Sequence, residues 1–286
     1  MKISAYHKQL GDDVSMYIAL GSYNKIYVSK VFTFSTMREI RGCKEIIKGG
    51  TGYNIKSELP DEIDKMYPDY SLYDITDTAY GYLTRGCPRK CDFCIVSEKE
   101  GVKSRQVYKL NQFWNGQKHI KLLDPNITAT PNCIDLFNEL ADTGAWVDFT
   151  QGLDLRLLTD KKIEAIKKIK LKRVHFAWDG FEDEKIICEK LELFKEITGY
   201  KRDKISVYVL TNFNTTFEQD LYRVYKLRGM NVMPYVMVYE KDTADKKYRH
   251  LQRYVNSRYI FNSAGNFDNY MKFIKDKNYA KAGRLF

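Results

Sequence analysis

Short apolar runs and helical periodicities alternate along the chain from about residue 78. Apolar or β-branched runs predict six strands, at residues 79–84, 119–124, 146–150, 173–179, 205–211 and 232–239. Between them, apolar residues spaced three or four apart predict helices at residues 133–143, 160–170, 183–198 and 216–228. Regular alternation of strand and helix predicts parallel strands joined by right-handed crossovers, in an α/β fold built on an open sheet or a barrel.

The first 75 residues follow a different pattern. β-like runs at Lys2–Ala5 and Lys25–Phe32, followed by a helical stretch at Met37–Lys48, predict a small α/β unit. Glycines at positions 49, 50 and 52 end that stretch. Prolines at positions 60 and 68 then mark a connector to the alternating region.

Basic and aromatic residues interleave beyond residue 240. The basic stretch from Lys246 to Arg284 contains the aromatic residues Tyr248, Tyr254, Tyr259, Phe261, Phe267, Tyr270 and Phe273. Such a composition suits either helices that pack their aromatic residues inward, which we favour, or a surface that grips phosphates and stacks on bases. The sequence thus predicts three parts: a unit at 1–75, the alternating region at 76–240 and a helical extension at 241–286.

Polar residues recur where the predicted parallel strands end. They are Asp124 and Asn126, Gln151 and Asp154, Asp179, and Asn212. Because the carboxyl ends of parallel strands line the active site in such folds, we expect chemistry at these positions.

Composition narrows the class of protein. The 286 residues are 44% hydrophobic and carry a formal net charge of +10, which permits a polyanionic partner without requiring one. The amino-terminal sequence has no pattern typical of an export signal, and no long apolar run predicts a membrane span. We therefore expect a cytoplasmic protein without a membrane partner, in which clustered thiols bind metal rather than form disulfides.

Three of the six cysteines are clustered. Cys87, Cys91 and Cys94 lie within eight positions, in the segment TRGCPRKCDFC at 84–94. Three thiolates on one loop can hold a 4Fe-4S cluster and leave one iron open, since such a cluster normally takes four. Zinc is the main competitor, but zinc modules usually supply four ligands, and the nearest further candidates, His119 and Cys133, are distant. Cys133, like the isolated Cys43 and Cys188, is expected to be a small buried residue.

The spacing Cys-x3-Cys-x2-Cys, with aromatic Phe93 before the last cysteine, resembles the radical S-adenosylmethionine (radical SAM) superfamily. The resemblance covers residues 78 to about 240. It implies a partial (β/α)6 TIM-like barrel whose cluster loop follows the first strand, with Cys87, Cys91 and Cys94 as cluster ligands. It also implies reductive cleavage of SAM to a 5′-deoxyadenosyl radical that abstracts hydrogen from the substrate, driven by a low-potential flavodoxin- or ferredoxin-type electron donor.

The resemblance further implies where SAM is held. Phe93 would border the adenine, and Asp124 and Asn126 stand where the family carries a glycine- and glutamate-containing motif for the SAM amino group, a departure in this sequence. Arg156 is a candidate for the SAM carboxylate, with Asp154 or Gln151 toward the ribose or substrate. Asn212 and Tyr235 lie on the strands expected to cradle adenine. A helix or turn cap is the alternative role for Asp124, and a structural ion pair is the alternative for Asp154 and Arg156.

The amino-terminal unit faintly resembles the domain that precedes the barrel in cobalamin-type members, because His7 lies shortly after the first predicted strand. The Asp-x-His-x-x-Gly pattern is absent, so we expect no cobalamin and a structural or substrate-facing His7. The substrate is not identified by the sequence; the charge and the carboxyl-terminal stretch favour a nucleoside or nucleic acid over a peptide. The alternative function is a zinc or iron–sulfur nucleic-acid-binding protein without catalysis.

Overall fold

A computed structural model gives the fold of residues 1–282, with side chains described as far as Lys275. The chain divides into two compact units, one of residues Met1–Lys121 and one that begins at Leu122. No helix within residues 1–282 is long and apolar enough to cross a bilayer. The predicted three-part division, with bounds near residues 75 and 240, stays a prediction.

The first unit combines short strands with short helices. Its elements are α1 (Lys2–Gln9), β1 (Tyr23–Ser29), β2 (Cys43–Gly49), α2 (Asp61–Asp64), β3 (Thr78–Gly81), β4 (Thr84–Arg85), α3 (Val96–Glu100), β5 (Arg105–Gln106) and most of β6 (His119–Leu122), whose last residue begins the second unit. β1 and β2 pair in parallel, whereas β4 and β5 form a small antiparallel ribbon. This ribbon carries the cysteine segment between its two strands.

Three predictions for this unit are wrong. Lys2–Ala5 is the start of helix α1 rather than a strand, because Lys2 forms an ion pair with Asp64, Lys8 forms one with Asp69, and Ser4 hydrogen-bonds to Asp69. Met37–Lys48 is not helical, since strand pairing with β1 overrides its weak helical pattern.

The third wrong prediction concerns the strand at 79–84. It breaks into β3 and β4, and the cysteine segment follows β4 rather than a strand of the parallel series.

The second unit follows the predicted alternation closely. Its elements are α4 (Cys133–Asp142), β7 (Trp146–Phe149), α5 (Asp160–Lys168), β8 (Val174–Trp178), α6 (Glu184–Thr198), β9 (Ile205–Thr211), α7 (Phe217–Gly229), β10 (Met233–Val238), α8 (Lys246–Asn256), α9 (Arg258–Ser263) and α10 (Phe267–Ala282). β8, β9 and β10 form a parallel sheet with β9 in the centre. One isolated parallel bridge joins β7 to the turn before β8, and a second joins the turn after β7 to β8 itself. The chain is therefore a mixed α/β protein with parallel strands, as predicted.

The core of this unit lies between the sheet and its helices. Alternate side chains on β8 are fully buried, as in Val174, Phe176 and Trp178, and the α6 residues Leu191 and Phe194 are fully buried as well. The Phe176 and Phe194 rings meet edge to face at 4.9 Å. This packing fixes the carboxyl edge of the sheet, where the polar residues lie.

The carboxyl-terminal helices mostly pack inward. Tyr248, Tyr254, Phe261, Phe267 and Tyr270 are buried. Tyr254, Phe261, Phe267 and Tyr270 share one apolar cluster, which also includes Val236 of β10. Tyr259 and Phe273 are instead 82% and 54% exposed. The favoured interpretation of this stretch is thus confirmed for most of its aromatic residues, while Arg284 lies outside the described residues.

Candidate functional site

The cysteine loop in the first unit is anchored at its base by the β4–β5 ribbon. Leu83, immediately before β4, is fully buried, and its carbonyl accepts hydrogen bonds from Val107 N at 2.8 Å and Tyr108 N at 3.3 Å. Gly86 follows β4 with φ of 86°, a conformation that favours glycine. A Cβ there would collide with the carbonyl oxygen of Lys103. The loop therefore starts where two chain segments approach closely.

Glu100, the last residue of α3, fixes both ends of the loop. Its carboxylate accepts a hydrogen bond from Gly86 N at 3.2 Å and pairs with Arg85 Nη1 at 3.5 Å. Its carbonyl accepts from Arg105 Nη1 at 3.1 Å. The next residue, Gly101, accepts from Cys87 N at 3.1 Å, so the first cysteine is hydrogen-bonded to the far end of the loop.

The other two cysteines flank a tight turn. Cys94 N donates to Cys91 O at 2.9 Å, which leaves Asp92 and Phe93 at the turn and places α3 directly after it. All three cysteines are thiols of intermediate exposure, as is the Phe93 side chain. This segment supplies three cysteine ligands, the number that a 4Fe-4S cluster with one open iron takes.

No group of three or more His, Cys, Asp or Glu side chains in the described residues is arranged to hold a single metal ion. The assignment of Cys87, Cys91 and Cys94 as cluster ligands accordingly stays a prediction, supported by the chemistry of the donor set.

Cations outnumber carboxylates around the thiols. Residues 84–105 contain six Lys or Arg and three Asp or Glu. The guanidinium of Arg85 lies over the Tyr82 ring at 4.4 Å, and Lys99 Nζ donates to Thr51 Oγ1 at 2.7 Å. The cysteine segment and the residues that follow it are therefore basic overall.

A polar cluster occupies the carboxyl edge of the sheet in the second unit. Asn126 follows β6, and its Nδ2 donates to Asp154 Oδ2 at 3.4 Å. Thr128 Oγ1 donates to Asn126 Oδ1 at 2.6 Å and accepts from Asp154 N at 3.2 Å. Asp154 also accepts from Arg156 Nε at 2.8 Å. Three residues predicted from the sequence, Asn126, Asp154 and Arg156, are therefore in one hydrogen-bonded group.

Arg156 is held by carboxylates on two sides. Its Nη1 donates to Asp183 Oδ2 at 2.5 Å, in addition to the bond with Asp154. Burial alone would disfavour the charge, but Asp154 and Asp183 outweigh it and raise the pKa of Arg156. The ion pair offered as the structural alternative for Asp154 and Arg156 is thus present.

Asp179, at the end of β8, is a carboxyl group with a strongly shifted pKa. Burial raises the pKa of Asp179 to about 6, against the opposing charges of Arg156 and Arg223. The negative charges of Asp154 and Asp183 also raise the pKa of Asp179. At neutral pH this group is close to its titration range, unlike an ordinary aspartate.

The remaining predicted residues have other environments. Asp124 is buried, whereas Gln151 is exposed in the turn after β7. Asn212 adopts φ of 63° after β9, where its backbone N donates to Asp220 Oδ2 at 3.0 Å and its Nδ2 to Tyr239 O at 3.0 Å. Tyr235 is 44% exposed on β10. No described contact joins Gln151, Asn212 or Tyr235 to the polar cluster.

Sequence reasoning missed Thr128 and Asp183. Thr128 lies two residues after Asn126, a spacing at which short polar side chains often bond each other, and Asp183 is the residue before α6. Both could have been found as polar residues that flank the predicted strand ends.

A row of aromatic rings on the sheet was also missed. His175 of β8 stacks on Tyr208 of β9 with centroids 5.2 Å apart, and Tyr208 meets Tyr235 edge to face at 5.7 Å. Alternation along β8 and β9 places His175 and Tyr208 on the side opposite the apolar core.

His7 in the first unit has a clear structural role. Its Nδ1 lies 2.7 Å from Asp12 Oδ2, and its Nε2 lies 2.8 Å from the Tyr27 hydroxyl. Both ring nitrogens are therefore used within the chain.

Comparisons with known proteins found a weak structural likeness. Searches of protein-family models and of curated proteins found no match. Among solved structures, the chain is similar to a radical S-adenosylmethionine methyltransferase, TsrM, from Kitasatospora setae, with cobalamin and a 4Fe-4S cluster bound. The TM-score is 0.47 and the identity 11%, over 56% of this chain and 36% of that one. A likeness of this size does not identify the family, ligand or activity of this chain.

Proposed function

We propose that this protein is a radical SAM enzyme that holds a 4Fe-4S cluster through Cys87, Cys91 and Cys94. The observation that carries the proposal is the placement of three thiols on one anchored loop, ahead of a series of parallel strands and helices. Three thiolates complete all but one corner of a four-iron cluster. When bound, such a cluster supplies the electron that cleaves SAM to methionine and a 5′-deoxyadenosyl radical.

The chain's own residues would position and shield the reactants. The hydrogen bonds of Glu100 and Gly101 hold the loop termini. Asp124, Asn126, Asp154 and Arg156 are the proposed SAM contacts in the second unit. Arg156 already pairs with two carboxylates, so one of these ion pairs would have to break before it could bind the SAM carboxylate.

The proposal includes the finer predictions that accompany the family. These are a partial (β/α)6 TIM-like barrel over residues 76–240, a low-potential electron donor of the flavodoxin or ferredoxin type, and a cytoplasmic location. Phe93, Gln151, Asn212 and Tyr235 complete the proposed cofactor contacts. The exposed Lys90, within the cysteine segment, and the exposed Arg105 of β5 suit an acidic electron donor.

Anaerobic reconstitution tests the proposal directly. The wild-type chain should bind about four irons, the count for one cuboidal cluster, and should form 5′-deoxyadenosine from SAM when dithionite is added. A variant with Cys87, Cys91 and Cys94 all changed to Ala should lose both. Changing Cys43, Cys133 and Cys188 to Ala provides a matched control that removes the same number of thiols and should keep iron.

Two outcomes would reject the proposal. Iron content and SAM cleavage that do not depend on the clustered cysteines would show that these are not the ligands. One equivalent of zinc without iron, and no response to SAM, would instead favour the alternative of a non-catalytic zinc protein that binds nucleic acid.

A further inference from the structure

Three arginines in the second unit, Arg202, Arg228 and Arg258, form what we call the arginine cluster. They come from three different elements. Arg202 begins the single helical turn before β9, Arg228 lies in the last turn of α7, and Arg258 is the first residue of α9. Folding, rather than a run of basic sequence, therefore brings these charges together.

Helix α9 links the three side chains. Arg202 Nη2 donates to Asn262 Oδ1 at 3.0 Å, and the Arg228 guanidinium lies over the Phe261 ring at 4.8 Å. Arg258 precedes Asn262 by four residues, so both lie on the same face of α9. Two of the guanidinium groups are thus fixed against the helix that carries the third.

The cluster has positive charge that no carboxylate neutralises. No ion pair among the described residues includes any of the three arginines, not even with Asp203, which is adjacent to Arg202 in sequence. Arg202 Nε is buried without a hydrogen-bond partner among those residues. Burial lowers the pKa of Arg202, and the charges of Arg228 and Arg258 lower it further. A bound anion would accept a hydrogen bond from this unsatisfied donor and would offset the repulsion between the like charges.

The surroundings favour a polymer of phosphates over a single small anion. Tyr259, adjacent to Arg258, is 82% exposed, and an exposed ring beside cations is a surface on which a base can stack. Arg253 and Lys201 add further exposed cations nearby in sequence. The net charge of +10 also favours a polyanion.

The cluster lies away from the polar cluster described above. The turn that carries Arg202 leads into the start of β9, and the end of α7 leads into the start of β10. Both positions are at the amino edge of the parallel sheet, whereas Asp154, Arg156 and Asp179 follow strand carboxyl ends. A ligand here would be held without blocking the carboxyl edge.

We propose that Arg202, Arg228 and Arg258 bind the phosphate backbone of a single-stranded nucleic acid, with Tyr259 as a stacking surface for a base. Arg228 is expected to serve mainly as a fixed charge, since it also donates to the Gly265 carbonyl. This inference requires neither iron nor SAM. The nucleic-acid site can therefore be disproved while the proposed enzymatic function holds, and the enzymatic function can be disproved while the nucleic-acid site holds.

Fluorescence anisotropy with a labelled 12-nucleotide RNA tests the site. The full-length chain is titrated between 50 and 300 mM KCl, without cluster or SAM. Changing Arg202 and Arg258 together to Gln should weaken binding about tenfold and reduce the slope of log affinity against log salt by about 1.4, since each of the two single-strand phosphate contacts contributes roughly 0.7. The matched control changes the exposed Arg41 and Lys185 to Gln and removes the same charge elsewhere.

Each result decides the proposal. Equal loss of affinity in the double variant and its control would overturn it, because only net charge would then matter. Inorganic phosphate or a mononucleotide that competes as well as unlabelled RNA would overturn the assignment to a polymer. Arg258→Gln alone, at an exposed residue, should weaken binding without lowering the thermal midpoint, and Tyr259→Ala should weaken it with no change in salt slope.

Discussion

At the scale of single residues, Asp220 and Asp179 in the second unit are carboxyl groups in contrasting environments. Asp220 and Arg223 are fully buried and paired, and Arg223 also donates to the carbonyls of Trp178 at 2.6 Å and Leu210 at 2.6 Å. This arginine satisfies backbone groups near the ends of β8 and β9, so its role is structural. Asp179, by contrast, has no such pairing to hold its charge, and burial raises its pKa.

The raised pKa of Asp179 predicts a pH-dependent stability. In the unfolded chain this carboxyl ionises near its ordinary value of 3.8, whereas in the folded chain it ionises at about 6. Between these values the unfolded state releases a proton that the folded state keeps, so rising pH favours unfolding. Asp179→Asn removes this effect, and the variant should gain stability over wild type by about 2 kcal/mol between pH 4 and pH 7.

Urea unfolding at pH 4 and at pH 7 measures this difference. Asp142→Asn makes the same chemical change at an exposed site and corrects for the loss of one negative charge. If Asp179→Asn changes the unfolding free energy by the same amount at both pH values, the carboxyl does not titrate in the expected range.

At the scale of elements, the sequence predicted the second unit far better than the first. The helix predicted at 183–198 is α6 at Glu184–Thr198, and the strand predicted at 205–211 is β9 with the same bounds. These segments have long, regular apolar patterns whose buried faces match the sheet and its helices. Their periodicity therefore carries most of the structural information.

Elements that depend on distant partners were not predictable in this way. α1 is set by ion pairs to residues more than sixty positions away, and β2 by its pairing with β1. The site shows the same limit. Strand ends identified Asn126 and Asp154, and the family resemblance identified Arg156, but Asp183 joins them only because the chain returns after β8. The arginine cluster has no sequence pattern at all, since three elements supply it.

The start of the cysteine loop offers a test at this scale. Gly86 and Gly101 have φ of 86° and 90°, so alanine strains either position by a similar amount. A Cβ at Gly86 would also collide with Lys103 O, whereas nothing lies within 4 Å of one at Gly101. Gly86→Ala should therefore destabilise the chain by about 1 to 3 kcal/mol more than Gly101→Ala. Equal unfolding free energies for the two variants would contradict the close approach that anchors the loop.

At the scale of the whole molecule, stability should be unevenly distributed between the two units. β9 is the centre of a three-stranded parallel sheet, and all its residues but Tyr208 are buried. β1 and β2 pair only with each other among the described residues, and most of their side chains are exposed or partly exposed. A two-stranded sheet with little buried surface is marginally stable, so its amides should open by local fluctuation rather than by global unfolding.

Hydrogen exchange followed by mass spectrometry would resolve this difference. Peptides that cover 205–211 should exchange at least about 100-fold more slowly than peptides that cover 43–49, because their opening approaches the full free energy of unfolding. The difference should persist in the control with Cys43, Cys133 and Cys188 changed to Ala, since no disulfide holds either sheet. Comparable protection in the two segments would mean that the first unit is stabilised by interactions beyond its own strand pair, and that the chain unfolds as one cooperative body.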